Sequence, residues 1–207
     1  MPHQTILETV AQYYAEKLRT FGATPRGVDW NSADSQHLRF DQLMRLVPES
    51  QHVSLNDYGC GYGALADYLA ASNRSVEYRG YDVSAEMVDA ARERHSESSW
   101  CSFTSQPHAM AAADYSVASG IFNVKLQHAP DVWRAYMFET LEVLDRLSMR
   151  GFAFNVLSTS ADPDKRRDDL YYADPVQTLE FCVERFSPRV ALLHDYPLYE
   201  FTMIVRK

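Results

Sequence analysis

The stretch DYGCGYG at residues 57–63 decides the fold, because it joins an apolar segment to a helical one. VSLNDY (53–58) has the length and composition of a buried strand, and ALADYLAAS (64–72) has those of a helix. Glycines in such a turn permit a positive φ and a close approach of a ligand to the backbone, while the helix that follows offers unpaired N–H groups. These residues predict a strand, a ligand-binding turn and a helix.

Strand and helix patterns alternate after this turn. Further strands are predicted at 76–82, 100–103, 115–122, 151–157, 190–195 and 200–206, and further helices at 85–95, 131–148 and 175–186. Such alternation predicts a mostly parallel sheet with helices on both faces. Residues 196–199 form too short a link for a parallel crossover, so the last strand is expected to be antiparallel. The predicted fold class is α/β, a doubly wound, Rossmann-like sheet of seven strands with an N-terminal helical cap.

The first 50 residues are predicted to form a helical extension, and residues 51–207 the ligand-binding domain. Apolar residues recur at helical spacing over 6–21, and Gly22 follows them as a stop. A second helix is predicted to begin at Asp34 or Ser35 and to end at Pro48. These helices either close over the ligand or only cover the sheet.

Charge and cysteine usage exclude several classes of protein. The chain of 207 residues has 28 Asp and Glu against 20 Lys and Arg, a net charge of −8, which disfavours a nucleic-acid binder. The cysteines, Cys60, Cys101 and Cys182, are widely spaced without a C-x-x-C pair, so neither a disulfide framework nor a metal site is expected. No apolar run is long enough to span a membrane, and no signal peptide is recognisable. A cytoplasmic enzyme without a metal ion is the expectation.

An acidic residue, Asp82, ends the second predicted strand, where a carboxylate can accept hydrogen bonds from both hydroxyls of a ribose. Two cofactor classes fit this arrangement. Gly59, Gly61 and Ala64 satisfy the G-x-G-x-x-A pattern of a dinucleotide site. Asp57, however, would repel a pyrophosphate and would suit an ammonium group.

These motifs resemble those of the class I S-adenosylmethionine-dependent methyltransferases. Residues 57–63 match the first motif of that family, D/E-x-G-x-G-x-G, and GYDVSAEM (80–87) matches its acidic second-strand motif. Residues 113–122 are similar to its fourth-strand segment. The resemblance covers roughly residues 50–207 and implies methyl transfer with S-adenosyl-L-methionine as the cofactor.

The resemblance also implies a set of cofactor-binding residues. Gly59 and Gly61 would line the methionine and ribose, Asp57 would lie near the amino group, and Asp82 would bind the ribose hydroxyls. The further expected contacts are Val83, Met87, Ser105, Phe122, Asn123, Trp30 and Arg39. In this set, Met87 approaches the adenine unless it is simply a core residue. Trp30 stacks on the cofactor, and Arg39 pairs with the methionine carboxylate.

A methyl acceptor with a hydroxyl group needs a base, and histidine has a suitable pKa. His108, His128 and His194 follow predicted strands, and His128, after the fourth strand, is the candidate catalytic base. The alternative for His128 is a polar loop histidine. Residues 158–174, with Tyr171 and Tyr172, form a long connection that either lines the acceptor site or lies on the surface.

The sequence therefore predicts a methyltransferase that uses S-adenosyl-L-methionine and acts on a small-molecule or sugar-like acceptor, at oxygen. Neither a nucleic acid nor a membrane is expected as a partner. Three alternatives remain: a nicotinamide-dependent oxidoreductase, a non-catalytic cofactor-binding module, and a protein or RNA methyltransferase.

Overall fold

A seven-stranded mixed sheet organises the computed structural model, which describes residues 2–72 and 74–207. The strands are β1 (Val53–Tyr58), β2 (Val76–Tyr81), β3 (Cys101–Thr104), β4 (Ala113–Ala118), β5 (Ser148–Leu157), β6 (Val190–Leu193) and β7 (Glu200–Arg206). Their order is β3-β2-β1-β4-β5-β7-β6. The last strand, β7, is antiparallel to both of its neighbours, and the remaining pairs are parallel. The predicted fold class is confirmed.

Six α-helices accompany the sheet in the described residues. They are α1 (Pro2–Phe21), α2 (Ala33–Met44), α3 (Ala64–Ala71), α4 (Ala85–Arg94), α5 (Pro130–Arg146) and α6 (Pro175–Arg185). Short 3-10 helices occupy Pro25–Val28, Pro107–Ala109 and Pro163–Lys165. The chain therefore alternates between strand and helix after β1, as its sequence pattern predicts.

Two hydrophobic clusters cover the two faces of the sheet. Ala153 of β5 belongs to a cluster with α2, α3 and α4, whereas its neighbours Phe152 and Phe154 belong to a cluster with α5 and α6. Successive side chains of a strand point to opposite faces, so the two clusters lie on opposite sides of the sheet. Ile6 of α1 is fully buried in the second cluster. This contact anchors the N-terminal extension to the sheet domain.

Several element boundaries differ from the sequence-based expectation, and three of them lie in or near the N-terminal extension and the site. The first helix begins at Pro2 instead of residue 6. The second begins at Ala33, because the Ser32 side chain accepts a hydrogen bond from Ser35 N at 3.1 Å and caps it. The fourth strand ends at Ala118, because the chain turns at Gly120, whose φ is +73°. Residues 119–122 therefore lie in a turn at the carboxyl edge of the sheet.

The long connection between β5 and α6 packs against the loop after β4. Tyr171 N donates to Asn123 O at 2.8 Å, and Leu126 N donates to Asp169 O at 3.0 Å. The Tyr171 side chain is buried in the cluster that contains α5 and α6. The two loops thus close the edge of the sheet above β4 and β5.

Neither a membrane span nor a metal centre is found among the residues that the structure describes. Across residues 2–72 and 74–207, no helix is both long enough and apolar enough to cross a bilayer. The same part of the chain holds no group of three or more His, Cys, Asp or Glu side chains with the geometry of a metal site.

Candidate functional site

A cavity lies at the carboxyl edge of the sheet, where β1, β2 and β4 end. With its opening to solvent it encloses about 860 Å³ of empty space. Its wall is built from the turn at 57–62, the end of β2, the turn after β4 and several residues of the N-terminal extension. We call it the glycine-turn cavity. Ligands of doubly wound sheets bind at this edge.

The turn after β1 is held tightly against the end of β2. Gly59 N and Cys60 N both donate to Tyr81 O, at 2.7 and 2.9 Å. Gly59 has a φ of +88°, and a Cβ at this position would lie 2.1 Å from Ile121 Cγ2. A larger residue would be strained at this φ and would have to displace the Ile121 side chain. The glycine therefore brings two wall segments of the cavity into contact.

Asp82 is buried directly behind the glycine turn and lines the cavity. Its Oδ2 accepts from Gly61 N and its Oδ1 from Ser84 N, both at 2.9 Å. Burial raises the pKa of this carboxyl to about 6, although the two backbone N–H groups favour the charged form. Each oxygen retains a second lone pair. The carboxylate is thus fixed in orientation and can still accept hydrogen bonds from ribose hydroxyls.

Asp57 presents a carboxylate to the cavity with one oxygen unused. Its Oδ2 accepts from the Tyr78 hydroxyl at 2.6 Å, whereas its Oδ1 is buried without a hydrogen-bond partner in the described residues. Burial raises the pKa of this carboxyl to about 7. A buried carboxylate oxygen without a partner is costly unless a ligand group pairs with it. An ammonium group, such as that of S-adenosyl-L-methionine, fits this position.

The raised pKa of Asp57 predicts a pH-dependent affinity for S-adenosyl-L-homocysteine, which has the same ammonium group. Only the ionised carboxylate attracts that group, so affinity is expected to increase as the pH rises through the pKa of Asp57. The expected gain between about pH 6 and about pH 7.5 is roughly fivefold to tenfold in calorimetric titration. Asp82, whose pKa is raised to about 6, contributes at the acidic end of this range.

Asp57→Asn is the control for this assignment. It keeps the shape of the side chain and removes its charge, so the increase above about pH 6.5 should disappear. An unchanged pH profile in Asp57→Asn would assign the titration to another group.

The N-terminal extension supplies one side of the cavity wall. Val10 and Tyr14 of α1 line it, together with Val28 and Trp30 of the following segment. That segment is tied to α1 through Asp29, which accepts a hydrogen bond from the Tyr13 hydroxyl and lies 2.6 Å from Lys17 Nζ. The extension therefore lies over the glycine turn, in the position of a cap.

Most of the residues expected to bind the cofactor share this cavity wall. The residues placed there are Trp30, Asp57, Gly59, Gly61, Asp82, Val83 and Met87. Met87 is completely shielded from solvent and belongs to neither of the two hydrophobic clusters. It lies on α4 behind Asp82, where the sequence placed an adenine contact.

Four expected cofactor contacts do not line the cavity. Phe122 is fully buried in the core, and Asn123 Oδ1 accepts from Leu157 N at 3.1 Å. Because β4 ends at Ala118, residues 119–121 line the cavity in their place. Ser105 follows β3 at the edge of the sheet and lies outside the cavity. The structure therefore does not bring Phe122, Asn123 and Ser105 to the cavity wall, and their contact with the cofactor stays a prediction.

Arg39 is the fourth of these contacts. Its Nε lies 2.5 Å from Glu200 Oε1, and the pair is almost completely buried. Its guanidinium carbon lies 3.9 Å from the centre of the Trp30 ring, and the side chain does not reach the cavity wall. The guanidinium is paired inside the protein with Glu200, so the structure gives no support to the expected pairing of Arg39 with the methionine carboxylate.

His128, the expected base, also lies outside the cavity. Its ring is stacked on Trp133, with 6.0 Å between ring centres and 25° between planes. Trp133 is held in turn by a 2.7 Å hydrogen bond from its Nε1 to Phe122 O. The loop folds the His128 ring onto α5, so the structure does not place it in the cavity wall, and its role as the base stays a prediction. His108 and His194 are not cavity residues either, and both are exposed.

His128→Ala is therefore expected to retain full affinity for S-adenosyl-L-homocysteine. Loss of the contact with Trp133 should lower thermal stability slightly, since a stacked aromatic pair contributes about 0.5–1.5 kcal/mol. Calorimetric titration and thermal unfolding measure the two effects separately. A loss of affinity without a loss of stability would indicate that His128 contributes to the cofactor site.

Several cavity residues were not expected from the sequence. Tyrosine hydroxyls approach from different elements: Tyr58 and Tyr81 end β1 and β2, with ring centres 4.7 Å apart, and Tyr136 lies on α5. Burial raises the pKa of each of these hydroxyls, so they remain protonated hydrogen-bond donors at neutral pH. On α2, Gln36 accepts a hydrogen bond from the Tyr62 hydroxyl at 3.3 Å, and both residues line the cavity. The dipeptide Ser119-Gly120 was the available signal for the turn after β4.

Comparison with known proteins agrees with this geometry. A family model described as a methyltransferase domain matches residues 57–146. A protein of Mycobacterium tuberculosis named "Putative methyltransferase Rv1506c" is 51% identical over 164 residues, which cover 79% of this chain and 99% of that protein.

Solved structures share the fold at low sequence identity. The N-methyltransferase NodS of Bradyrhizobium japonicum WM9, in complex with S-adenosyl-L-homocysteine, has a TM-score of 0.66 at 16% identity, covering 95% of this chain and 97% of its own. Magnesium protoporphyrin IX methyltransferase of Synechocystis PCC 6803, with the same molecule bound, has a TM-score of 0.62 at 16% identity, covering 84% and 83%. The chain belongs to the class I S-adenosylmethionine-dependent methyltransferases, and S-adenosyl-L-methionine is its cofactor.

Proposed function

We propose that the protein transfers the methyl group to a small-molecule acceptor. The observation that carries this proposal is the cap: Leu7, Val10 and Tyr14 of α1 and Trp30 of the next segment lie over the glycine turn. An acceptor must reach the methyl group within this covered space, which favours a compact molecule over a folded protein or a nucleic acid. The net charge of −8 also disfavours a nucleic acid.

The acceptor atom must attack without help from a histidine of the cavity. The cofactor supplies an activated methyl group on a sulfonium, and the protein must align the acceptor and exclude water. A neutral alcohol would also need a base. No histidine lies among the described residues that form the cavity wall. We therefore propose that the acceptor atom is an oxygen that is already ionised at neutral pH, such as that of a carboxylate.

A neutral amine is the second candidate acceptor. The described cavity wall contains two carboxylates, Asp57 and Asp82, and neither lysine nor arginine. Methylation of an amine produces a cation, which such a wall would stabilise. A neutral amine also needs no base before it attacks the methyl group. The same wall would repel an anionic acceptor unless the sulfonium compensates.

The acceptor can be identified by methylation with S-adenosyl-L-methionine labelled on its methyl group. The purified protein is incubated with a cell extract that has been separated into a low-molecular-mass fraction and a macromolecular fraction. Label is expected in the low-molecular-mass fraction. Label that enters only protein or RNA would contradict the proposal.

Alkaline treatment of the product separates the two acceptor classes. A methyl ester releases its label as volatile methanol, whereas an N-methyl group stays on the acceptor. Asp82→Ala serves as the control that ties the transfer to the glycine-turn cavity, because at a cofactor concentration below its dissociation constant it should strongly reduce labelling of either product.

A further inference from the structure

A buried ion pair joins the N-terminal extension to the last strand of the sheet. Arg39 of α2 and Glu200 at the start of β7 lie 2.5 Å apart, Nε to Oε1, and their side chains are 8% and 0% exposed. Arg39 also donates from its Nη1 to Ser35 O at 2.6 Å. Neither member of the pair lines the glycine-turn cavity. The pair is thus close to the cofactor site without being part of it.

The Arg39 guanidinium lies against the side chain that separates it from the cavity. Its central carbon is 3.9 Å from the centre of the Trp30 ring, within the range of a cation–π contact. Trp30 itself lines the cavity. The chain from Glu200 through Arg39 to Trp30 therefore runs from the sheet to the cavity wall.

The six-membered ring of the Trp30 indole packs directly against Gly120. A Cβ built on Gly120 would lie 2.3 Å from Trp30 Cζ2 and 2.4 Å from Cη2. Gly120 also needs its φ of +73°, so the turn after β4 both bends sharply and leaves room for the ring. The indole is thus held between the guanidinium of Arg39 and the backbone of this turn. One orientation of the ring satisfies both contacts.

Burying this pair has an electrostatic cost, so a contribution to stability alone does not explain why the two charged residues lie here. Burial raises the pKa of the Glu200 carboxyl to about 7, although the adjacent Arg39 favours its charged form. Two apolar side chains of similar volume would often stabilise a protein as well as a buried ion pair does. A planar cation against an indole, in contrast, fixes the ring in a way that an aliphatic side chain does not.

We propose that Arg39 and Glu200 are positioning residues that hold the Trp30 indole in the wall of the methyl-donor cavity. Glu200 orients the guanidinium, the guanidinium orients the indole, and the indole contacts the bound cofactor. This inference rests on the cofactor and not on the identity of the acceptor. It can therefore be tested by binding alone.

A double-mutant cycle on S-adenosyl-L-homocysteine affinity is the test. The variants are Arg39→Met combined with Glu200→Met, Trp30→Ala, and all three changes together. Replacing both charged residues avoids leaving an unpaired charge in the core. The paired methionine variant is expected to weaken binding roughly tenfold, and to have no further effect once Trp30 is alanine.

The cycle separates positioning from a general loss of structure. If the pair acts only on stability, its effect on affinity will be absent or will add to that of Trp30→Ala, and the proposal is overturned. Should the paired variant not fold, Arg39→Lys takes its place, because lysine keeps the charge and loses the planar contact. Glu142→Ala, which removes an exposed partner of Arg185, is the matched control and should leave affinity unchanged.

Discussion

Replacing Asp82 with alanine is expected to weaken the binding of S-adenosyl-L-homocysteine at least about tenfold, because charge-assisted hydrogen bonds contribute roughly 1.5–3 kcal/mol each. Asp82 would accept from the ribose hydroxyls, and it also accepts from Gly61 N and Ser84 N. The variant therefore loses the ribose acceptor and the restraint on the glycine turn together. Calorimetric titration measures the affinity, and circular dichroism confirms that the variant is folded.

Asp89→Ala is the matched control for this prediction. Asp89 lies on α4, shortly after Asp82 in the chain, but it is exposed and pairs with Arg92 at 3.4 Å. Its removal should leave the affinity for the cofactor product unchanged. If Asp82→Ala binds as tightly as the control, Asp82 does not bind the ribose.

Replacing Glu200 with alanine is expected to lower the free energy of unfolding by about 3–5 kcal/mol, the usual cost of breaking a buried ion pair. The change leaves the buried Arg39 side chain without its carboxylate partner. It also removes the ion pair between α2 and β7. Urea unfolding at neutral pH measures the loss.

The exposed pair between Glu142 and Arg185 provides the comparison. It has similar geometry, with 2.6 Å between Oε1 and Nε, but it lies in solvent. Exposed pairs contribute little, so Glu142→Ala should unfold at nearly the same urea concentration as the parent protein. Equal effects of the two substitutions would mean that the Glu200 pair is not buried in solution.

The glycine turn and its acidic partners could be predicted because their information is local. Residues 57–63 combine a strand end, glycines and a helix start within one short segment, and Asp82 closes the following strand. The parallel direction of the other strands follows from the same alternation, since helical crossovers return the chain to the same end of the sheet. The antiparallel direction of β7 depended only on the short link after β6.

The residues after β4 could not be placed by pattern alone. Phe122 and Asn123 were expected in the site because the apolar segment continues to residue 122. The strand ends four residues earlier, so each later side chain takes a direction set by the turn at Gly120 and not by strand alternation. A small change in one boundary therefore moved both side chains out of the cavity.

Arg39 and His128 lie away from the cavity wall for a different reason, since their partners are set by how the elements pack. Glu200 is brought to Arg39 only when β7 inserts between β5 and β6. Trp133 reaches His128 because α5 packs on the sheet. Neither contact leaves a local sequence signal, so both residues were assigned to the cofactor site on their chemistry alone.

Hydrogen–deuterium exchange with and without S-adenosyl-L-homocysteine tests the central claim, that the glycine turn and the N-terminal extension together enclose the cofactor. Protection is predicted in residues 57–63 and 82–87, in the turn at 119–121, and also in residues 7–14 of α1. Protection of the first three segments without α1 would contradict the cap. Binding without protection of residues 57–63 would contradict the site itself.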